Sequence, residues 1–179
     1  MLKYILIGLV ILVATFLIVA ATRPDHFRVT RTASVAAPPV AVFEQINNLQ
    51  NWNAWSPWAK LDPDAKNTFE GPQGGVGARF SWSGNSKVGK GTMTITESKP
   101  SELVLMKLDF IEPFTATNTT EFTIKPDGNG TAVTWSMSGQ NNFVAKCMGL
   151  LMNCEKMIGG QFEQGFANLK SMVEARPQT

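Results

Sequence analysis

The stretch CEKMIGGQFEQGFANLKSMVEAR, residues 154–176, decides how the rest of the chain is read. Ile158, Phe162, Phe166, Leu169 and Val173 recur at three- and four-residue steps, which places them on one face of a long helix that Pro177 ends. Three glycines, Gly159, Gly160 and Gly165, interrupt it. Each costs a helix interior about 1 kcal/mol relative to alanine, so they point to a close approach by another surface or to space left beside the helix. That surface has to come from the residues upstream.

Six strand-like runs supply it: NTFEGP, GARFSWSG, GKGTMTITES, ELVLMKLDFI, TATNTTEFTIK and GTAVTWSMSG. PDGNG and KPSE between them are hairpin turns, and GPQGGVGARF reads as a third. Gly74, Gly75 and Gly77 in that third turn are like a phosphate loop only superficially, because no helix follows; backbone bending accounts for them. Earlier still, FRVTRTASVAA alternates as a strand up to Pro38-Pro39. VAVFEQINNL then sets Val42, Phe43, Ile46 and Leu49 at helical spacing. From Asn141, NNFVAKCMGLLMN reads as a short or broken helix before the long one. Consecutive hairpin strands make an antiparallel sheet, and only the terminal helix is long enough to cover its apolar face. The expected fold class is α+β, a curved antiparallel sheet wrapped around a long C-terminal helix.

One segment stands outside this plan. Residues 4–22, YILIGLVILVATFLIVAAT, carry no charge and span roughly 28 Å as a helix, close to the hydrocarbon thickness of a bilayer. A cleaved signal peptide competes, with Val19-Ala20-Ala21 as a cleavage site. Against it stand a basic region of one Lys and an apolar run longer than a signal core. The chain is therefore divided into an uncleaved membrane anchor, residues 1–24, and one domain, residues 25–179. Lys3 and the amino terminus favour an inside N-terminus, whereas Arg23, Arg28 and Arg31 count the other way; Arg28 and Arg31 fall in the first strand and are discounted. The expectation is a single-pass protein with its domain outside the cytoplasm.

Charge and reactive residues exclude several function classes. A net charge of +2, with no basic cluster among the aromatics, gives nucleic acid nothing to bind. Cys147 and Cys154, seven apart on what would be one helix face about 10 Å apart, are too distant for a disulfide. They also lack the companions of a metal site and are read as small buried hydrophobes. The single histidine, His26, sits beside Asp25 near the membrane. No Ser-His-Asp set, metalloprotease helix or carboxylate pair is present, since Glu97, Asp109 and Glu121 alternate toward the polar face. No catalytic residue, metal or cofactor is assigned.

Strand alternation selects the residues that face inward. Phe80 pairs with Trp82, Met93 with Ile95, and Met106 with Leu108 and Phe110. Phe122 pairs with Ile124, and Val133 with Trp135 and Met137. With Phe162 and Phe166 from the helix they make an interior rich in Met and aromatics, suited either to plain core packing or to an irregular greasy ligand. Asn118 and Thr120 share the Phe122 face as candidate polar groups, Thr120 nearer a wet mouth. In NLQNWNAWSPWAKLDP, residues 48–63, Trp52, Trp55 and Trp58 repeat every third residue, and Pro57 and Pro63 forbid a long helix. These rings are packing plugs, a stacking platform or an interfacial anchor.

With APPVAVFEQINNLQNWNAWSPW, GGVGARFSW, TAVTWSMSG around Trp135 and MIGGQFEQGFANLK, the chain from Phe27 to Glu174 resembles the SRPBCC superfamily, also called START-like or Bet v 1-like. More closely it resembles the bacterial polyketide cyclase/dehydrase and lipid-transport group. The resemblance implies a helix-grip fold with a cavity for lipids, sterols or polyketides between sheet and terminal helix. It also implies short helical segments at the mouth, where Trp52 and Trp55 would plug or face the chamber and Trp58 would be structural. A fold carries no activity by itself. Three readings follow: a membrane-tethered carrier of an apolar small molecule, a cyclase/dehydratase-like or hydrolase-like enzyme using the same chamber, and an envelope interaction protein without ligand.

Overall fold

Ten residues of alternating character, His26–Val35, form β1 in the computed structural model, which describes residues 1–175. The helix stop expected at Pro177 lies outside the described residues. Ahead of β1, α1 (Leu2–Ala21) has twenty residues, is apolar on every side, and is long and apolar enough to cross a membrane. A signal sequence passes the same test. After β1, Pro39 opens α2 (Pro39–Asn47), which buries Val42, Phe43 and Ile46. The Asn48 side chain then accepts the Gln50 amide and starts a 3₁₀ turn, Leu49–Asn51, leading into the single turn α3 (Trp52–Trp55).

The other strands are β2 (Lys66–Glu70), β3 (Arg79–Ser83), β4 (Lys90–Lys99), β5 (Leu103–Glu112), β6 (Ala116–Asp127) and β7 (Gly130–Gln140). They form one antiparallel sheet in the order β1-β7-β6-β5-β4-β3-β2. Each strand after β1 lies beside its chain neighbour; β1 alone crosses over, to pair with the last strand. Irregularities in register at Lys90/Gly91 and Ile95/Glu97 bend β4. Gly91 is required there, because a Cβ would collide with the Trp82 ring.

Two helices close the chain, α4 (Phe143–Leu151) and α5 (Cys154–Glu174). Between them the Asn153 side chain accepts the Lys156 amide at 2.9 Å and caps α5. This cap breaks the helical path and corrects the reading of the cysteines. Cys147 lies in α4, half-buried, and Cys154 starts α5, exposed; they share no helix face, and Cys154 is no core residue.

Along α5 the buried face is Phe162, Phe166, Leu169 and Val173, with Ile158 partly buried. The glycines divide. At Gly165 a Cβ would sit 2.8 Å from Trp135 Cζ3, so the indole packs against bare backbone. At Gly159 it would strike the guanidinium of Arg31, which reaches from β1 to Glu155 at 2.7 Å and Glu163 at 2.6 Å. Those carboxylates, Glu155 foremost, raise the Arg31 pKa above its ordinary value. Gly160 faces open space, so close approach explains two of the three.

Candidate ligand cavity

Pairing register turns the inward residues into rungs across the strands. Trp82, Gly91 and Phe110 form the first; Phe80, Met93, Leu108 and Asn118 the second. Ile95, Met106, Thr120 and Met137 form the third, and Val104, Phe122, Trp135 and Arg31 the fourth. The fourth rung is filled. Trp135 stacks on Phe162 with centroids 4.1 Å apart and lies 4.8 Å from Phe122, while Trp55, Trp52, Trp58 and Phe166 present rings edge-on at 5.6, 5.7, 5.9 and 5.9 Å. The Trp55 indole also donates to the Gln45 carbonyl at 3.3 Å, and the Asn168 amide donates to the Trp55 carbonyl at 3.0 Å, which fixes the Trp turn to both α2 and α5.

Toward the first rung the packing stops and leaves a cavity of about 350 Å³. Phe80, Trp82, Met93, Leu108, Phe110, Thr120, Trp135 and Met137 line its sheet side. Phe162 and Trp52 close the helix side. A second aromatic strip stiffens the outer strands: Phe69 stacks on Phe80 at 5.2 Å, Phe80 on Trp82 at 5.9 Å, and Phe110 meets Trp82 edge-on at 5.9 Å. The Trp82 indole donates to the Val88 carbonyl at 3.0 Å.

Four residues named from the sequence lie elsewhere. Trp55 is wholly enclosed by the Trp52, Phe122 and Trp135 rings, and Met106 is wholly buried beside Ile95 on the filled side. Phe166 lies one helical turn past Phe162, against the Trp135 edge. Asn118 points toward β7, donating weakly to Met137 Sδ at 3.9 Å and covering Gly139. Thr120 sits on the wall at 3 % exposure, so the expected wet mouth is not where it lies.

The cavity's remaining side is a loop that alternation does not describe. Asn53, Ser56, Trp58 and residues between Ala59 and Asn67 form it. Asp62 latches this loop to the β3–β4 turn: its Oδ2 accepts the Asn85 amide at 2.6 Å, and the Asn85 side chain donates to the Leu61 carbonyl at 3.4 Å. Trp58 thus belongs to the cavity, and the repeat at 52, 55 and 58 was the available signal for it.

Polar groups on the wall are few, chiefly the Thr120 and Ser56 hydroxyls with Asn53 and Asn67. Trp135 Nε1 is the one buried side-chain donor without a partner among the described residues. The displaced ionisations lie on the outside of the domain. Asp109 is held low by the Thr117 hydroxyl and Lys107, and Asp25 by Lys146. No group of three or more His, Cys, Asp or Glu could hold a metal ion among the described residues.

Residues 26–174 match the family model for polyketide cyclase / dehydrase and lipid transport. No curated protein matches the chain in sequence. Among solved structures, protein CV1439 from Chromobacterium violaceum superposes with a TM-score of 0.61 at 16% identity, covering 86% of this chain and 100% of that one. The Aha1 dimer from Colwellia psychrerythraea gives 0.60 at 15%, over 83% and 97%. The di-domain ARO/CYC BexL from the BE-7585A biosynthetic pathway gives 0.61 at 15%, over 89% of this chain and 53% of that one. At such identities the likeness establishes the α+β helix-grip fold alone.

Proposed function

This chain belongs to the polyketide cyclase/dehydrase and lipid transport family, and from that premise we propose that it is a membrane-tethered carrier. Its domain, residues 25–179, takes one apolar small molecule of lipid, isoprenoid or polyketide type into the cavity between sheet and α5. The observation that carries this reading is the cavity itself. Its 350 Å³ stands at the lower end of the roughly 300–1,000 Å³ usual for small-molecule sites. An apolar hole of about 150 Å³ already accepts benzene. There is room for a short acyl or isoprenoid chain or a fused ring pair, and too little for a diacyl lipid with both chains inside. Thr120 and Ser56 offer the ligand's polar end a hydroxyl each.

Residues 1–24 are the tether in this reading, and the domain stands outside the cytoplasm. A tether holds the domain beside the bilayer that stores such ligands, which raises their effective concentration at the cavity. We assign no reaction: the one carboxylate on the wall, Asp62, is engaged by the Asn85 amide.

Native mass spectrometry of the full chain, released from its own membranes, tests the proposal. The expected result is one bound apolar molecule, lost in Leu108→Trp while the far-UV circular dichroism stays unchanged. Trp52, Trp58, Trp82 and Trp135 all line the cavity, so filling it also shifts the tryptophan emission. A chain that leaves the membrane empty, with emission indifferent to added fatty acids and isoprenols, sinks the carrier reading.

A further inference from the structure

We propose that α4 is a membrane-surface helix, with its outward face seated in the headgroup–acyl boundary of the bilayer beside the point where α1 leaves it. The inference rests on the tethering in the reading above. Its first support is position. His26 pairs with Gln140, Asn118 with Gly139 and Phe110 with Ala116, so the start of β1, the end of β7 and the β5–β6 turn share one end of the sheet. That is the end at which α1 enters. The linker is held there: the Asn141 backbone amide donates to the Asp25 carbonyl at 2.7 Å and its side chain to the Pro24 carbonyl at 3.2 Å. The chain then enters α4 at once, and α4 packs against α1.

The second support is composition. In α4, FVAKCMGLL, the only charge is Lys146. Its side chain is 11% exposed and bound to Asp25, so the cation turns inward. What α4 shows outward is apolar: Val144, Met148 and Leu151, at steps of four and three, are 55%, 40% and 72% exposed. Phe143 adds to this face, and at the same end of the sheet Ile111 protrudes from the end of β5 and Phe114 from the β5–β6 turn. A surface helix that meets water carries a polar face; this one has none to show. A contiguous exposed apolar patch marks an interaction site.

The third support is depth. Within α1 only Phe16 and Ala20 are shielded, one turn apart on one side. Phe16 lies five residues before the helix end at Ala21, about 8 Å along the axis. An interfacial helix sinks roughly 5–10 Å into the boundary region. A helix packed on that segment of α1 lies at the matching level. The occupant is therefore the lipid surface that α1 already enters. Trp82 and Phe110, the first rung of the cavity wall, lie at this same end of the sheet, which puts that wall on the bilayer side.

The test uses the full chain in vesicles of phosphatidylcholine and phosphatidylglycerol, with Cys147→Ser and Cys154→Ser as background. Nitroxides are placed singly through Val144→Cys, Met148→Cys and Leu151→Cys, with Leu12→Cys inside α1 and Lys125→Cys at the far end of the sheet as references. Unchanged tryptophan emission certifies the fold of each. The expected result is that the α4 labels collide with oxygen and lose collisions with a water-soluble nickel reagent, at a depth between the two references. Water-like values at all three α4 positions, with Leu12→Cys in the bilayer, overturn the proposal and leave cavity binding standing. Labels hidden from both reagents and broadened by spin–spin coupling assign the face to a second copy and overturn it too. If Leu12→Cys itself reads as aqueous, tether and proposal fall together.

Discussion

The two halves of the concave face follow the same sequence rule and end differently. At the fourth rung, Val104 and Phe122 are wholly buried in the core, and Trp135, 1% exposed, alone of the three also borders the cavity. At the first and second rungs, Phe80, Trp82, Met93, Leu108 and Phe110 alternate just as regularly, yet they face a hole. The difference is what lies opposite. Helices carrying large side chains cover the first group; the loop through Ala59 and Ala65, latched by Asp62, covers the second. Alternation chooses which face a residue takes, and the opposing element decides whether that face becomes core or chamber.

The largest test of this contrast is truncation on each side. Phe122→Ala removes a buried ring that Trp52, Trp55 and Trp135 touch and that does not line the cavity; it is expected to cost about 3–5 kcal/mol, read as a fall in the denaturation midpoint. Leu108→Ala enlarges a space that is already open and should cost less than about 2 kcal/mol. Equal losses would erase the distinction between the halves. The next pair uses α5. Gly165→Ala drives a methyl toward Trp135 and loses about 1–3 kcal/mol, against a helix gain of about 1 kcal/mol. Gly160→Ala meets nothing and should gain up to about 1 kcal/mol. Opposite signs in one helix are the expected outcome of parallel thermal melts.

Smaller effects sharpen the picture of the cover. Asp62→Ala frees the loop from Asn85 at a stability cost of about 1 kcal/mol or less, while ligand release followed by tryptophan emission becomes faster. An unchanged release rate would show that the loop is not the gate side. The smallest effect concerns pH. The Lys146 hydrogen bond first, and its charge second, hold the Asp25 pKa below the ordinary value. Because the folded-state value is depressed, the contribution of this pair is complete above the ordinary carboxylate range and fades as pH falls through the lowered value. Amide protection in α4, taken relative to the intrinsic exchange rate at each pH, should therefore fall below about pH 4 and hold steady above it.

Much of this was legible in the residues. The alternation in seven strands and the spacing of Phe162, Phe166, Leu169 and Val173 each have a period, and a period survives without neighbours; the uncharged run of residues 4–22 is legible from length and composition alone. The helix-grip arrangement followed from having one long helix for one long sheet. What was not legible has no period. Asn118 and Thr120 share a face and differ only in the partners beside them, Met137 Sδ for one and the cavity for the other. Met106 and Leu108 sit two apart on one strand, yet one is core and the other wall. The fate of Cys154 turned on a single cap, Asn153, which outweighed helix continuity. The loop wall from Ala59 to Asn67 exists only in three dimensions.

The crossover of β1 has a consequence for how the chain is made. His26 leaves the ribosome soon after α1, but its pairing partner, Gln140, arrives only when about a hundred more residues have been synthesised. Through that interval the first strand waits with an open edge while the hairpins from β2 to β7 zip locally. Such long-range pairing slows folding and exposes aggregation-prone edges. Transposing residues 26–35 to follow residue 140 directly would make the last contact local, and refolding should accelerate.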